Sequence, residues 1–181
     1  CDPLVPPEET LEALNDLVRH GKVCYIGCSN LTGWQLAQYL YLADTHLLDR
    51  FVSIQPVYNA LNRGIELEIL PLCADQGLGV IPYNPLAGGV LTGKYKRGAE
   101  PPSGSRLSVN EGYRQRYLSN DMFDLVERFL KVADEMNVSP AQLALAWVMA
   151  EPRITAPIIG ARGLKQLKDS LQGTELALSD A

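Results

Sequence analysis

The sequence predicts an α/β fold with a parallel β-sheet. Helical and strand-like segments alternate along the chain in units of roughly 25 to 30 residues, which is the rhythm of βα architecture. Four short apolar runs end in polar residues or glycine, namely Ser29 and Asn30, then Gln55, then Tyr83 and Asn84, and finally Gly160 and Arg162. Parallel α/β folds hold ligands at the carboxyl ends of their strands, so this pattern indicates a binding site there.

The first part of the chain predicts two helices and two strands. Residues 6–9 place proline and acid in a first helical turn, and Gly21 ends that helix. Residues 23–28 are the first predicted strand. Thr32 and Gln35 have the spacing of a capping box, which opens the second helix. The second predicted strand ends at Gln55.

A third helix is predicted over residues 65–76, followed by a third strand over 80–81 that Pro82 ends. Residues 84–120 are rich in Gly, Pro, Ser and Arg without sustained periodicity, which indicates a long functional or mobile loop. Two helices, a strand and a last helix follow, over 121–136, 139–150, 156–159 and a segment that carries Leu164, Leu167 and Leu171. The helix that starts at Ser139 has the clearest signals, because an N-cap serine, a proline and a capping-box glutamine follow one another.

The composition excludes several classes of protein. The chain has 181 residues, of which 46% are hydrophobic and 20% charged, as in an ordinary globular protein. A net charge of −5 and a pI near 5.0 favour neither nucleic acid nor an anionic membrane as a partner. No apolar run approaches the roughly 18 residues of a membrane-spanning helix, and residues 1–3 do not resemble a signal peptide. We therefore expect a cytoplasmic protein.

The four cysteines, Cys1, Cys24, Cys28 and Cys73, form neither a CxxC pair nor a zinc-finger pattern. On a strand, Cys24 and Cys28 share one face with Ile26, where a thiol behaves as a small hydrophobic group. We expect buried thiols and no metal site.

The strand count alone leaves the architecture open. A closed (β/α)₈ barrel needs eight strands and about 250 residues, whereas four strands are predicted here. An open doubly wound sheet fits the length better, but no strand is followed by its usual GxGxxG turn.

Four segments together resemble the aldo-keto reductase family. They are residues 21–30, with the sequence GKVCYIGCSN, then QPVYN over 55–59, YNPLAGGVLTGKY over 83–95, and PIIGAR over 157–162. The long loop around Lys94 resembles the bacterial members related to potassium-channel beta subunits. The resemblance implies that residues 1–181 are the C-terminal part of a single (β/α)₈ TIM barrel, about its second half, with four strands and their helices. It also implies that 84–120 lies over the cofactor and that there is no second domain.

By the same resemblance the chain binds NADPH. Ser29, Asn30 and Gln55 would hold the nicotinamide carboxamide, which needs both donors and acceptors, and the Tyr83 ring would support the nicotinamide. Arg162 would bind the adenosine 2′-phosphate with its planar fork of donors. The remaining implied cofactor residues are Asn84, Pro85, Leu86, Gly88 and Lys94 toward the pyrophosphate, with Gly160, Gln166, Asp169 and Ser170 toward the adenosine.

Some of these residues have plainer interpretations. Asn30 taken alone fits helix capping or a turn, and Tyr83 fits a core aromatic. Gly88 and Lys94 fit a flexible surface loop. Lys165 and Lys168 are interpreted as solvated helix charges.

The family's catalytic residues are not found. Its tyrosine acid, lysine, aspartate and histidine lie on the first four strands of the barrel, and none of the eight tyrosines here is followed by glycine. Asp2 resembles the last residue of the family's His-x-x-Asp pattern. We assign no catalytic residue, and we expect the chain to be a fragment of a longer protein.

Three functions follow as hypotheses. The first is an NADPH-dependent oxidoreductase that reduces aldehydes or ketones, with a small-molecule carbonyl substrate. The alternative is a non-catalytic NADPH-binding or partner-regulating module without the tetrad. A third is an unrelated barrel enzyme that binds sugar phosphates. Unpaired strand edges at 23–28 and 156–159 predict a homo-oligomer, or a need for the missing half.

Overall fold

A computed structural model describes residues 4–178, which fold into two compact units. Unit 1 comprises the residues up to Val57 together with Gly64–Pro82 and Arg153–Ala156. Unit 2 comprises Tyr58–Arg63, Tyr83–Pro152 and the residues from Pro157 onward.

Unit 1 is built on a parallel sheet of three strands in the order β1-β2-β3. The strands are β1 (Ile26–Ser29), β2 (Phe51–Gln55) and β3 (Gly79–Val80). Its helices are α1 (Pro7–Arg19), α2 (Gly33–His46) and α3 (Ile69–Gln76), and a 3₁₀ turn (Gly64–Glu66) precedes α3. The core contains apolar side chains of all these elements, including Leu11, Leu36, Ile54, Leu70 and Val80.

The helices of unit 1 start and end largely where their capping signals place them. The backbone N–H of Thr32 donates to Gln35 Oε1 over 3.0 Å, as the capping box predicts. Gly77 ends α3 in the left-handed conformation, at φ 69°. The predicted third helix begins later than expected, because Glu68 interrupts the helical backbone at φ −129° and only a 3₁₀ turn precedes it.

Unit 2 is helical. It contains a 3₁₀ segment (Ala87–Thr92), α4 (Arg106–Val109), α5 (Glu111–Tyr117), α6 (Asn120–Glu135), α7 (Pro140–Met149), α8 (Leu164–Gln172) and a last 3₁₀ turn (Gly173–Glu175). Its core includes Leu91, Leu107, Tyr117, Val126 and Leu145. At the start of α7, Ser139 Oγ accepts from the N–H of Gln142 at 3.2 Å and the N–H of Ser139 donates to Gln142 Oε1 at 3.1 Å, so the predicted capping box is confirmed.

The prediction of four strands is wrong for the described residues, which contain three. Residues 156–159 form no strand, and Ile158 makes only an isolated parallel bridge with Tyr83. The physical reason is proline: Pro157 and Pro82 have no N–H, so each removes a ladder donor where a strand pair would have to continue. The sheet seen over residues 4–178 is therefore not a closed barrel.

Thr155 nevertheless completes the edge of β3. Its N–H donates to the carbonyl oxygen of Val80 at 2.8 Å, and its Oγ1 accepts from the N–H of Val80 at 3.0 Å. Both polar groups of this fully buried strand residue are thus satisfied by one residue 75 positions later.

The predicted long loop over residues 84–120 contains two short helices, α4 and α5. These helices have four and seven residues, fewer than the 11-residue window in which helical periodicity becomes visible. One local signal was present: the side chain of Asn110 caps α5 by accepting from the N–H of Tyr113 at 3.1 Å.

Among the three described cysteines, one departs from expectation, and Cys1 lies outside the described residues. Cys73 is buried and Cys28 partly buried, but Cys24 is exposed, because β1 begins only at Ile26. Burial raises the pKa of the Cys28 thiol to about 12, and the neighbouring Cys73 adds to this. Burial likewise raises the pKa of Cys73 to about 11.

Candidate functional site

Three predicted site residues lie together at the carboxyl ends of β1 and β2. Ser29 faces Gln55 in the parallel register, and its hydroxyl donates to the carbonyl oxygen of Gln55 at 2.7 Å. Asn30, at φ 55°, donates from Nδ2 to Ser29 Oγ at 3.0 Å. The structure therefore joins Asn30, Ser29 and the end of β2 in one hydrogen-bonded chain. Both Ser29 and Asn30 are exposed, which leaves them accessible to a ligand.

Gly27 explains how closely these two strands approach. A Cβ built on Gly27 would lie 2.7 Å from Ser53 Oγ and 3.0 Å from the carbonyl oxygen of Ser53. Only glycine fits that position without displacing Ser53. Glycine inside the apolar run 23–30 was the sequence signal for this close contact.

The predicted pyrophosphate residues form a tight turn in unit 2. Asn84, Ala87, Gly88 and Gly89 all have positive φ, at 65°, 50°, 68° and 92°. Asn84 Oδ1 accepts from the N–H of Gly88 at 2.6 Å, and the N–H of Gly89 donates to the carbonyl oxygen of Leu86 at 2.8 Å. We call residues 84–89 the Asn84 turn. Its backbone is strained, since alanine rarely adopts a left-handed conformation.

Lys94 places a positive charge beside this turn. A Cβ built on Gly89 would lie 2.6 Å from Lys94 Nζ, so the lysine side chain runs against the glycine backbone. Its Nζ lies 5.0 Å from the centroid of the Tyr95 ring, and the residue is exposed. Within the Asn84 turn, Pro85 is buried and Leu86 is half-buried. Tyr83, which precedes the turn, is also half-buried and bridges to Ile158.

Arg162 lies at the start of the last helical segment. It is exposed; its guanidinium donates to the carbonyl oxygen of Gly104 at 3.1 Å, and its own N–H donates to Gln166 Oε1 at 2.9 Å. Gly160, two residues earlier, is open: a Cβ there would meet nothing within 4 Å. The Gln166 side chain is therefore bonded to the backbone of Arg162, and the predicted contacts of both residues with the adenosine stay predictions.

The other two predicted adenosine residues are engaged inside unit 2. Asp169 Oδ1 accepts from Gln142 Nε2 at 2.9 Å, which ties α8 to α7. Ser170 is buried, with 6% of its surface exposed. Their predicted contact with the adenosine stays a prediction.

Three further residues of interest were not predicted from the sequence. Ser105 Oγ is the one buried side-chain polar atom within residues 4–178 that has no hydrogen-bond partner, and it follows Gly104 directly. Asn59 and Tyr117 are buried and hydrogen-bond to the Asn84 turn. A polar Asn59 in the otherwise apolar run 57–61 was a usable signal, whereas nothing local distinguished Ser105 or Tyr117.

Within unit 2, the residues around Arg162 fit a phosphate group such as the 2′-phosphate of NADPH. An exposed guanidinium, an open glycine at position 160 and an orphaned hydroxyl at Ser105 offer donors and space for a phosphate. The described part of the chain holds no group of three or more His, Cys, Asp or Glu side chains placed to bind a metal ion. The helices within residues 4–178 also include none with the length and apolarity to cross a membrane.

Comparison with known proteins decides the family. A model of the aldo/keto reductase family matches residues 1–181. The chain belongs to the aldo/keto reductase family.

Several curated relatives match nearly all of this aldo/keto reductase chain and about half of their own length. An uncharacterized oxidoreductase, YrpG, of Bacillus subtilis (strain 168) is 39% identical over 98% of this chain and 52% of its own length. Protein tas of Escherichia coli (strain K12) is 36% identical over 98% of this chain and 51% of its own. A putative voltage-gated potassium channel subunit beta of Schizosaccharomyces pombe is 35% identical over 96% and 52%. The aldo/keto reductase chain spans about half the length of these relatives, and its resemblance to the family is confirmed.

Proposed function

We propose that the complete protein is an NADPH-dependent oxidoreductase that reduces aldehydes or ketones to alcohols, and that this chain carries its cofactor-binding half. The observation that carries the proposal is the family match over the whole chain. The placement of the predicted residues supports it, since Ser29 and Asn30 lie together at a strand end and Arg162 with Gln166 lies beside an open glycine.

In unit 1, the proposed ligand group is a carboxamide. A carboxamide has one acceptor oxygen and a two-proton donor, so it pairs well with amide and hydroxyl side chains. Asn30 and Gln55 carry amides, and the hydroxyl of Ser29 accepts from the Asn30 amide while it donates to the backbone carbonyl oxygen of Gln55. This arrangement would fix the nicotinamide ring in one orientation.

In unit 2, the proposed ligand groups are phosphates and adenosine. Lys94 places its ammonium beside the Asn84 turn, where it would neutralise the pyrophosphate. Arg162, with Gly160 and Gln166 close by, would bind the 2′-phosphate through paired N–H donors. The Ser105 hydroxyl would gain a partner there.

When bound, NADPH supplies the hydride that reduces a carbonyl carbon. The residues of this chain bind and orient the cofactor, and Tyr83 offers an aromatic face to the nicotinamide. We place the proton donor of the reaction outside this chain, because the family's catalytic pattern is not found in its sequence. Because this chain would bind the cofactor and residues outside it would donate the proton, we predict that binding and catalysis can be separated experimentally.

The test is made on the complete native polypeptide. We expect saturable NADPH binding by fluorescence, and NADPH oxidation when aromatic or aliphatic aldehydes are added. Binding of sugar phosphates without any preference for NADPH would overturn the proposal and favour an unrelated phosphate-binding enzyme.

A second candidate is a non-catalytic NADPH-binding or partner-regulating module. It is favoured by relatives named as potassium channel beta subunits, from Schizosaccharomyces pombe and Arabidopsis thaliana among others. Tight NADPH binding by the complete protein without turnover of any aldehyde or ketone would select this candidate.

A further inference from the structure

We propose that Tyr117 is a positioning residue for the Asn84 turn, which it holds in its binding conformation through Asn84 and Asn59. The inference rests on the proposed function, because it assumes that the turn faces the NADPH phosphates. Tyr117 itself would not touch the cofactor.

The hydroxyl of Tyr117 lies in a hydrogen-bond network with two asparagines. Only 1% of its surface is exposed, and its hydroxyl oxygen accepts from Asn84 Nδ2 at 3.0 Å and from Asn59 Nδ2 at 3.3 Å. Asn59 Nδ2 also donates to the carbonyl oxygen of Asn84 at 3.0 Å, and Asn59 Oδ1 accepts from the N–H of Leu61. The network therefore hydrogen-bonds to both the side chain and the backbone of Asn84.

The grip on Asn84 determines which way its amide points. Because Nδ2 is directed at the Tyr117 hydroxyl, Oδ1 is left to accept from the N–H of Gly88 at 2.6 Å. That second bond closes the turn over Ala87, which sits at the strained φ of 50°. Without the tyrosine hydroxyl, the Asn84 amide loses the partner that fixes its orientation.

Burial makes this network costly to break. Desolvation is the main reason that the pKa of Tyr117 is raised, and an unpaired Asn59 amide in the same surroundings would lose hydrogen bonding that water cannot replace. Asn59 is 0% exposed, so its amide has no solvent alternative.

The helix that carries Tyr117 also covers the turn. A Cβ built on Gly88 would lie 2.7 Å from Cδ1 of Tyr113, so that ring packs directly over the Gly88 backbone. The rings of Tyr113 and Tyr117 are 6.0 Å apart. Helix α5 thus contacts the Asn84 turn twice, once by packing and once by hydrogen bonding.

The test compares Tyr117→Phe with Tyr41→Phe in the complete protein. Tyr41 is an exposed tyrosine of α2, so its variant controls for loss of a phenol hydroxyl elsewhere. Without NADPH, hydrogen exchange of the amides in 84–89 should be about 5- to 20-fold faster in Tyr117→Phe and unchanged in Tyr41→Phe. The dissociation constant for NADPH should rise by about the same factor in Tyr117→Phe alone.

A double-mutant cycle identifies the route of the effect. Asn84→Gly deletes the amide but tolerates φ 65°, so it removes both side-chain bonds without adding backbone strain. If Tyr117 acts through Asn84, Tyr117→Phe changes the NADPH dissociation constant in the wild type and has little further effect in Asn84→Gly.

Two results overturn the inference. One is a lower unfolding midpoint in Tyr117→Phe with unchanged exchange at 84–89, which would give Tyr117 a packing role only. The other is an additive cycle, which would exclude the route through Asn84. If the wild type binds no NADPH, the proposed function fails by itself, and the exchange comparison still decides whether Tyr117 holds the turn.

Discussion

The guanidinium of Arg162 donates a hydrogen bond of 3.1 Å to the carbonyl oxygen of Gly104, across 58 residues of sequence. The residue assigned to the 2′-phosphate therefore also holds the segment just before α4. Arg162 has donors beyond the single one used in this bond, because a guanidinium carries five.

Arg162→Ala should weaken NADPH binding about 10- to 100-fold, the effect of losing one to two charge-assisted hydrogen bonds. Affinity for NADH, which lacks the 2′-phosphate, should change less than about threefold by the same reasoning. Fluorescence titration with both cofactors measures this. Lys165→Ala is the matched control, as an exposed cation on α8. Equal losses for NADPH and NADH would contradict the assignment.

Gly27→Ala should lower the free energy of unfolding by about 1–3 kcal/mol, since the new methyl group would overlap both the hydroxyl and the backbone of Ser53. Urea denaturation of the complete protein measures the change. Gly64→Ala is the control, because a Cβ there meets nothing within 4 Å, and its effect should stay within about 0.5 kcal/mol. Indistinguishable midpoints for the two variants would show that β1 can move away from β2 at little cost.

The three described thiols should differ in reactivity. Iodoacetamide at pH 8, followed by mass spectrometry, should label exposed Cys24 well before Cys28 and Cys73, whose pKa values burial raises to about 12 and 11. In denaturant all three should react. Rapid native labelling of Cys28 would mean that β1 opens readily.

The same pKa shifts set a pH dependence. The folded state keeps these thiols neutral, whereas the unfolded chain ionises them from about pH 9.0, so their stabilising effect is complete below pH 9 and is lost as the pH rises toward 11 to 12. The urea midpoint should therefore fall less between pH 8 and 10 in Cys28→Ala than in the wild type. An identical fall in both proteins would assign the alkaline loss to other groups.

Ser139→Ala should lower the free energy of unfolding by about 1 kcal/mol, because it removes the N-cap acceptor of α7. In a protein of this size or larger the melting temperature should drop by about 2–4 °C or less. Ser103→Ala, at an exposed position before Gly104, should leave it unchanged. A comparable drop in Ser103→Ala would mean that the cap contributes nothing specific.

Local signals predicted the longer helices well. Thr32 with Gln35 and Ser139 with Gln142 each place a capping box within four residues, and both boxes form. The strands that end at Ser29, Gln55 and Val80 were also predicted, because apolar runs that stop at polar or proline residues carry their own boundaries.

Long-range contacts were beyond sequence reasoning. The run 156–159 looked like a strand, yet pairing needed donors that Pro82 and Pro157 lack, and that conflict is visible only when the two segments are adjacent. Asn59, Asn84 and Tyr117 are separated by 25 and 33 residues, so no periodicity connects them. The sequence singled out Asn84 but not Asn59 and Tyr117, which hold it.

The two hydrogen bonds between Val80 and Thr155 have a consequence for folding during synthesis. Because β3 borrows its edge partner from a residue 75 positions later, unit 1 cannot finish folding while the ribosome is still making α4 to α7. Closing so large a loop is slow. Until Thr155 pairs with Val80, the edge of β3 is exposed to strands of other chains. A released chain truncated before Arg153 should therefore remain dependent on chaperones, whereas one that includes Ala156 should be able to protect β3.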